Sequence, residues 1–159
     1  MLPHVETPTG HGLLPVEPDP DTAPYWQALA SGKLMLPHCL SCARVWSPPS
    51  ATCPHCGGKD HDWIEHDGRG QVYSWTVVHR ALDDAFAEDV PCAIAVVELD
   101  AADGARLVGR LLAPDNAPSP PPVAAQMPVQ TVTYPLGGRA LLGFLPVSDS
   151  PASAQKGVP

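Results

Sequence analysis

Hydrophobic positions in this chain come in short bursts, and their spacing changes along its length. The opening stretch, MLPHVETPTGHGLLPVEPDP, mixes Pro, Gly, Thr and acids without a period. It reads as a flexible arm over 1–20 that orders on a partner. At Asp21 the character changes. Asp21 or Thr22 suits a helix cap, Pro24 the first turn and Gly32 the end. Tyr25, Trp26 and Leu29 give this short helix a bulky apolar face. KLMLPH then predicts a strand running into a cysteine pair, and HDWIEHDG a strand returning from a second pair.

From Gly70 the pattern is strongly β. QVYSWTVVHR is rich in β-branched and aromatic residues and is entered through Gly-Arg-Gly at 68–70. PCAIAVVELD and ARLVGRLLA follow, joined by a turn in which Asp103-Gly104 is a hairpin signal. After the Pro-rich PDNAPSPPPVAAQ come PVQTVTY and ALLGFLPV, linked by PLGGR. Five short strands in this order predict a small Greek-key barrel of the OB type. Proline occupies the place between the third and fourth strands where such barrels often carry a helix. The expected organisation is an arm over 1–20, a helix and ribbon over 21–67, a barrel over 68–147 and a disordered tail over 148–159.

Composition agrees. In 159 residues, 21 Pro and 13 Gly break any long helix, so the fold class expected is mainly β. A formal charge of −8 with nine scattered basic residues argues against a nucleic-acid binder, which needs clustered cations for the phosphates. No segment approaches the ~18 apolar residues of a membrane span. The N-terminus lacks the basic and apolar regions of a secretory signal, so the expected location is the cytoplasm.

In that reducing setting, CLSCARVWSPPSATCPHCGG is the strongest chemical signal. A Cys-x-x-Cys turn sets two thiolates on one side of a tight knuckle. Cys39 with Cys42 and Cys53 with Cys56 supply two such turns, and Gly57 and Gly58 relieve the backbone after the second. Four soft ligands predict a tetrahedral metal site. Zn²⁺ is favoured, and iron in a rubredoxin-type site is the chemical alternative. With four protein ligands no position stays open for water, so the metal is structural. His38 and His55 flank the set and are expected outside it, and Cys92 is expected as a small buried apolar residue.

No nucleophile, base and orienting group assemble in the sequence. GxSxG, P-loop, GxGxxG and HExxH motifs are all missing from the chain. The paired carboxylates Asp83-Asp84 and Glu88-Asp89 read as solvated turn residues, and His79 as a strand-end histidine. The chain is therefore not expected to be an enzyme by itself. Four tryptophans in so small a body point to packing or to a docking face, with Tyr25, Trp26 and Leu29 the candidate partner contacts.

The order of these parts resembles a known family. PYWQALASGKLMLPHC, the ribbon CLSC…CPHCG, and GRGQVYSWTVVHR…VPCAIAVVELD are similar to the acyl-CoA-associated zinc-ribbon/OB-fold proteins, long catalogued as domain of unknown function 35. The resemblance runs from about Asp21 to Val147 and includes the MPV before the fourth barrel strand. It implies a helix, a rubredoxin-like zinc ribbon and a C-terminal OB barrel. It also implies a non-catalytic partner of a thiolase-fold enzyme (a thiolase, an acyltransferase or a side-chain aldolase) in a hetero-oligomer, near the acyl-CoA entrance. If a CoA thioester meets the barrel, Arg69, His79 and Arg80 are the candidate neighbours. A nucleic-acid-binding ribbon–OB module and a rubredoxin-like iron electron carrier are the alternative readings.

Overall fold

The computed structural model describes residues 1–5, 18–114 and 119–147. Most of the expected arm, part of the Pro-rich segment (115–118) and the expected tail (148–159) lie outside these residues. Helix α1 spans Ala23–Ala30. Pro24 sits in its first turn, and the helix ends as the sequence predicts. Gly32 takes φ +69°, and the N–H groups of Gly32 and Lys33 turn back to the carbonyls of Leu29 and Ala28. At the other end Thr22 makes no side-chain cap bond; Asp19 Oδ1 accepts from its N–H at 2.8 Å instead.

Strands β1 (Leu34–Cys39) and β2 (His61–His66) pair antiparallel as a two-stranded ribbon. Strands β3 (Arg69–Val78), β4 (Cys92–Leu99), β5 (Arg106–Leu111), β6 (Pro128–Leu136) and β7 (Arg139–Pro146) close into a barrel in the order β3-β4-β5-β7-β6. The parallel β5–β7 contact completes the closure, leaving the five-stranded Greek-key barrel that the pattern predicts. Among the described residues no helix lies between β5 and β6, as the prolines there require. The Asp103-Gly104 turn is made as read: both residues have positive φ, and Ala105 N–H reaches Ala102 O at 2.8 Å.

The two halves legible in the sequence share one core. Tyr25 and Leu29 of α1 and Leu34 and Leu36 of β1 join Val72, Ala93, Ala95, Val97, Leu107 and Phe144 of the barrel in a single apolar cluster. Close backbone packing is built in at Gly70, where an added Cβ would lie 2.4 Å from the Glu98 carbonyl oxygen. The start of the chain departs from the flexible arm expected there. Leu2 is buried, its N–H donates to Gly32 O at 2.6 Å, and Pro3 to Val5 run beside Thr133 through two further backbone bonds. An apolar side chain at position 2 finds a slot between ribbon and barrel, a contact with no local signature. Among the described residues no helix is long and apolar enough to cross a membrane.

Two core positions yield opposite expectations. Phe144 is fully buried, so Phe144→Ala should cost about 3–5 kcal/mol in urea unfolding. The Thr131 hydroxyl is buried with no hydrogen-bond partner among the described residues. Thr131→Val removes an unsatisfied polar atom at nearly constant volume and should leave stability unchanged or raise it. A loss above about 1 kcal/mol in Thr131→Val would show that the hydroxyl is satisfied in solution.

Candidate functional site

The ends of β1 and the loop that follows bring the four cysteines together. Cys39 closes β1, and Ala43 at φ +58° turns the chain so that Cys42 faces back. Gly57 at φ +74° does the same after the second knuckle. In each knuckle the fourth residue on returns an N–H to the first carbonyl: Ala43 to Cys39 and Gly57 to Cys53, both at 2.9 Å. The four Sγ atoms all lie within 4.8 Å of one another. Cys39 and Cys56 are 3.6 Å apart, and Cys42 and Cys53 are 3.7 Å apart. A tetrahedral ion with sulfur at about 2.3 Å requires edges of about 3.8 Å. The donor set therefore fits one metal ion and no water.

Electrostatics support the same conclusion. The Cys39 thiol is drawn down to about 6, first by the Cys42 backbone N–H and also by that of Ser41, against the effect of burial. Cys42 stands at about 12: the Arg44 N–H lowers it, but burial and the sulfurs of Cys56, Cys39 and Cys53 outweigh that pull. Cys56 is likewise raised, the Gly58 N–H being outweighed chiefly by the Cys39 sulfur. The Cys39 sulfur is ready as a thiolate, and Cys42 and Cys56 need a cation to ionise beside it. His38 and His55 stand outside the set. His38 Nδ1 lies 2.9 Å from Asp62 Oδ1, and Arg44 Nη1 lies 3.3 Å from His55 Nδ1.

Three polar contacts tie this ribbon to the barrel. Asp103 Oδ2 accepts from Val45 N–H at 2.9 Å. His66 Nε2 donates to Asp100 O at 2.8 Å, and its Nδ1 accepts from Gly68 N–H at 2.9 Å. Hairpin turn and ribbon are thus latched by residues that the pattern marks only as turn and strand-end positions.

Beside the latch lies a groove of about 740 Å³. Tyr25 and Trp26 of α1, Pro48 and Pro49 of the ribbon, and Ile94, Val108 and Leu142 of the barrel line it, and Arg80 stands among its polar residues. Asp89 anchors one wall. Its carboxylate accepts from Arg110 Nη1 at 3.0 Å and its carbonyl from Nη2 at 3.3 Å. Asp89 is buried, so it departs from the solvated role expected of it. Arg110 keeps this buried carboxylate paired; removing the arginine would leave an uncompensated buried charge. Cys92 is half-buried and lines the same groove rather than the core. Burial pushes the Tyr25 and Tyr134 phenols up, so both act as neutral groups.

The expected partner contacts on α1 fare differently from one another. Leu29 is buried against ribbon and barrel; Tyr25 is buried apart from the face it gives the groove, and Trp26 is partly exposed beside it. The exposed aromatics among the described residues are Phe86, with 38% exposure, and Tyr73 and Trp75 of β3, with 56% and 42%. Their signal was in the sequence, but alternation alone does not show where a barrel strand leaves its neighbours. Arg69, His79 and Arg80 are not one cluster. Arg69 opens β3, while His79 and Arg80 follow its last residue, Val78. Ten residues of strand, about 30 Å, separate the two ends.

The comparisons with known proteins agree with this geometry. Residues 26–62 match the model of the ChsH2 rubredoxin-like zinc ribbon domain, and residues 63–134 that of the ChsH2 C-terminal OB-fold domain. A probable enoyl-CoA hydratase alpha subunit of Thermomonospora curvata is 40% identical over 98 residues, 60% of this chain and 30% of that protein. A DUF35 domain-containing scaffold protein of Methanocaldococcus jannaschii is 37% identical over 75 residues, 46% of this chain and 51% of that one. The chain thus spans about half, or less, of the length of these curated relatives. Among solved structures, one described as an Ltp2-ChsH2(DUF35) aldolase superposes with a TM-score of 0.70 at 32% identity, covering 83% of this chain and 98% of that one. A DUF35 protein of Sulfolobus solfataricus, at 20% identity and a TM-score of 0.56, shares the fold.

The metal site makes a pH-dependent prediction. Ligand thiols held protonated at neutral pH must lose their protons on binding, so metal affinity should rise with pH, about tenfold per unit for each proton released. Competition against a chromogenic chelator from pH 6 to 8 measures this, and a flat profile would contradict it. Metal removal should also shift Trp46 emission to the red, because Trp46 is buried against Cys39 and Cys53.

Proposed function

Because this chain belongs to the ChsH2-type zinc-ribbon/OB-fold family, also called DUF35, we propose that it is a non-catalytic accessory subunit. Its partner is a thiolase-fold acyl-CoA enzyme (a thiolase, an acyltransferase or a side-chain aldolase), which it binds and stabilises. The observation that carries this reading is the 32% identity to the Ltp2-ChsH2(DUF35) aldolase chain over 98% of that chain's length. The names scaffold protein and enoyl-CoA hydratase alpha subunit, borne by other relatives, support the same setting. The ion is Zn²⁺, and its role is to hold the ribbon. A reducing cytoplasm keeps the thiols available for it.

The chain also contributes to the acyl-CoA entrance. An apolar groove with Arg80 at hand suits a thioester whose acyl and pantetheine parts are apolar and whose nucleotide end is anionic. Arg80 and His79 serve this end of β3; Arg69, at the far end, does not.

Co-expression with a thiolase-fold acyl-CoA enzyme of the same organism tests the main reading. The two should copurify, and the enzyme should be less soluble or less stable alone. An enzyme equally soluble and active without the chain, with no complex formed, would overturn it. Within the complex, Arg80→Glu should raise KM for the CoA thioester several-fold with little change in kcat. An unchanged KM would remove Arg80 from the entrance.

A further inference from the structure

We propose that the outer half of β3 is an open docking edge that receives an extended, uncharged segment of the partner enzyme as an added strand. The inference rests on the accessory-subunit reading above and names the surface by which it works. β3 pairs with β6 only over Arg69–Gln71. Val72 is still satisfied on that side, donating to Met127 O at 2.9 Å and accepting from Gln126 N–H at 2.8 Å. Beyond it the strand continues to Val78 against β4 alone.

The direction of the free groups follows from the ladder. Asp100 donates to Arg69 O, whereas Leu99 donates to Ala105 O, so even positions of β4 face β3 and odd positions face β5. Past the register shift at Tyr73, Ser74, Thr76 and Val78 lie opposite Val96, Ile94 and Cys92 and bond to β4. Trp75 and Val77 therefore turn their N–H and C=O away from it. Among the described residues, no backbone hydrogen bond reaches these groups. Edges of this kind are normally guarded by charge, proline or a covering element. YSWTVV, over 73–78, has no charge, no proline and no glycine, in a chain of net charge −8.

Side chains beside the edge are set for contact. The Arg106 guanidinium lies 3.5 Å from the centroid of the Tyr73 ring. Arg106 is itself held by Glu98 Oε2 through Nε at 2.9 Å and Nη2 at 2.8 Å. An exposed tyrosine fixed in this way loses little freedom on binding, which suits an anchor. Trp75 stands beside it at 42% exposure.

A row of backbone donors and acceptors at strand spacing is matched by another extended backbone. A second copy would bring two bodies of charge −8 together, which opposes self-pairing. SDSPASAQKGVP at the end of the chain has two interior turn-forming residues, Pro151 and Gly157, and one β-branched residue, Val158, and is a poor strand. Residues 6–17, with Pro8, Gly10, Gly12 and Pro15, have an equally poor strand composition, so the partner enzyme is the remaining source.

Amide hydrogen exchange on the metal-loaded chain, free and with a thiolase-fold acyl-CoA enzyme of the same organism, tests the proposal. In the free chain the Trp75 and Val77 amides should exchange at least tenfold faster than those of Thr76 and Val78. In the complex they should slow at least tenfold. Trp75→Lys should weaken the complex tenfold or more at unchanged metal content. Failure of any complex to form overturns this inference and the accessory reading together. A complex in which Trp75 and Val77 stay unprotected overturns this inference alone. So do amides already protected in the free chain, which would point to its own residues, or protection that grows with concentration without the enzyme, which would point to a second copy.

Discussion

Four sulfurs packed within 4.8 Å of one another are the constraint on which the distal ribbon depends. Between Cys39 and Gly58 the buried apolar residues are Val45, which joins the main core, and a small cluster of Cys39, Trp46 and Cys53 with Cys42 against it. One indole and one valine cannot offset the conformational entropy of ordering about twenty residues. Nor can four thiols at that spacing all ionise without a cation among them. A metal ion satisfies both conditions, because its binding free energy becomes folding free energy for the loop around it.

The ribbon in turn shapes the rest of the molecule. Its inner half contributes Leu34 and Leu36 to the core shared with the barrel, and its loop contributes Pro48 and Pro49 to the groove wall. Asp103 and His66 fix its register on the barrel through Val45 and Asp100. A groove built from a helix, a ribbon and a barrel keeps its shape only while those three parts hold one arrangement. The lining of that groove is largely apolar, which suits the accessory role proposed above.

Much of this was legible in the sequence, for identifiable reasons. Cysteine spacing is local chemistry, so the tetrathiolate set could be read directly. The β3–β7 strands were visible because their alternation matches a half-buried barrel wall, and Asp103-Gly104 because an I′ turn needs positive φ at both positions. What escaped were contacts between distant residues. Asp89 looks like any turn acid until Arg110 is placed beside it. Tyr25 and Leu29 look like a docking face until β1 and β7 cover α1. The open edge at Trp75 and Val77 depends on where β6 stops pairing, which no period in β3 records.

The measurement that bears most directly on the central claim is native-state amide exchange with and without the metal. On metal removal, the account predicts that the amides of Ala43, Cys53 and Gly57, bonded within the knuckles, lose protection by about a hundredfold or more. Those of Leu36 and of β4 should keep theirs, because the shared core holds them. Knuckle amides that remain as protected in the metal-free chain would contradict it, since the loop would then hold its shape without an ion.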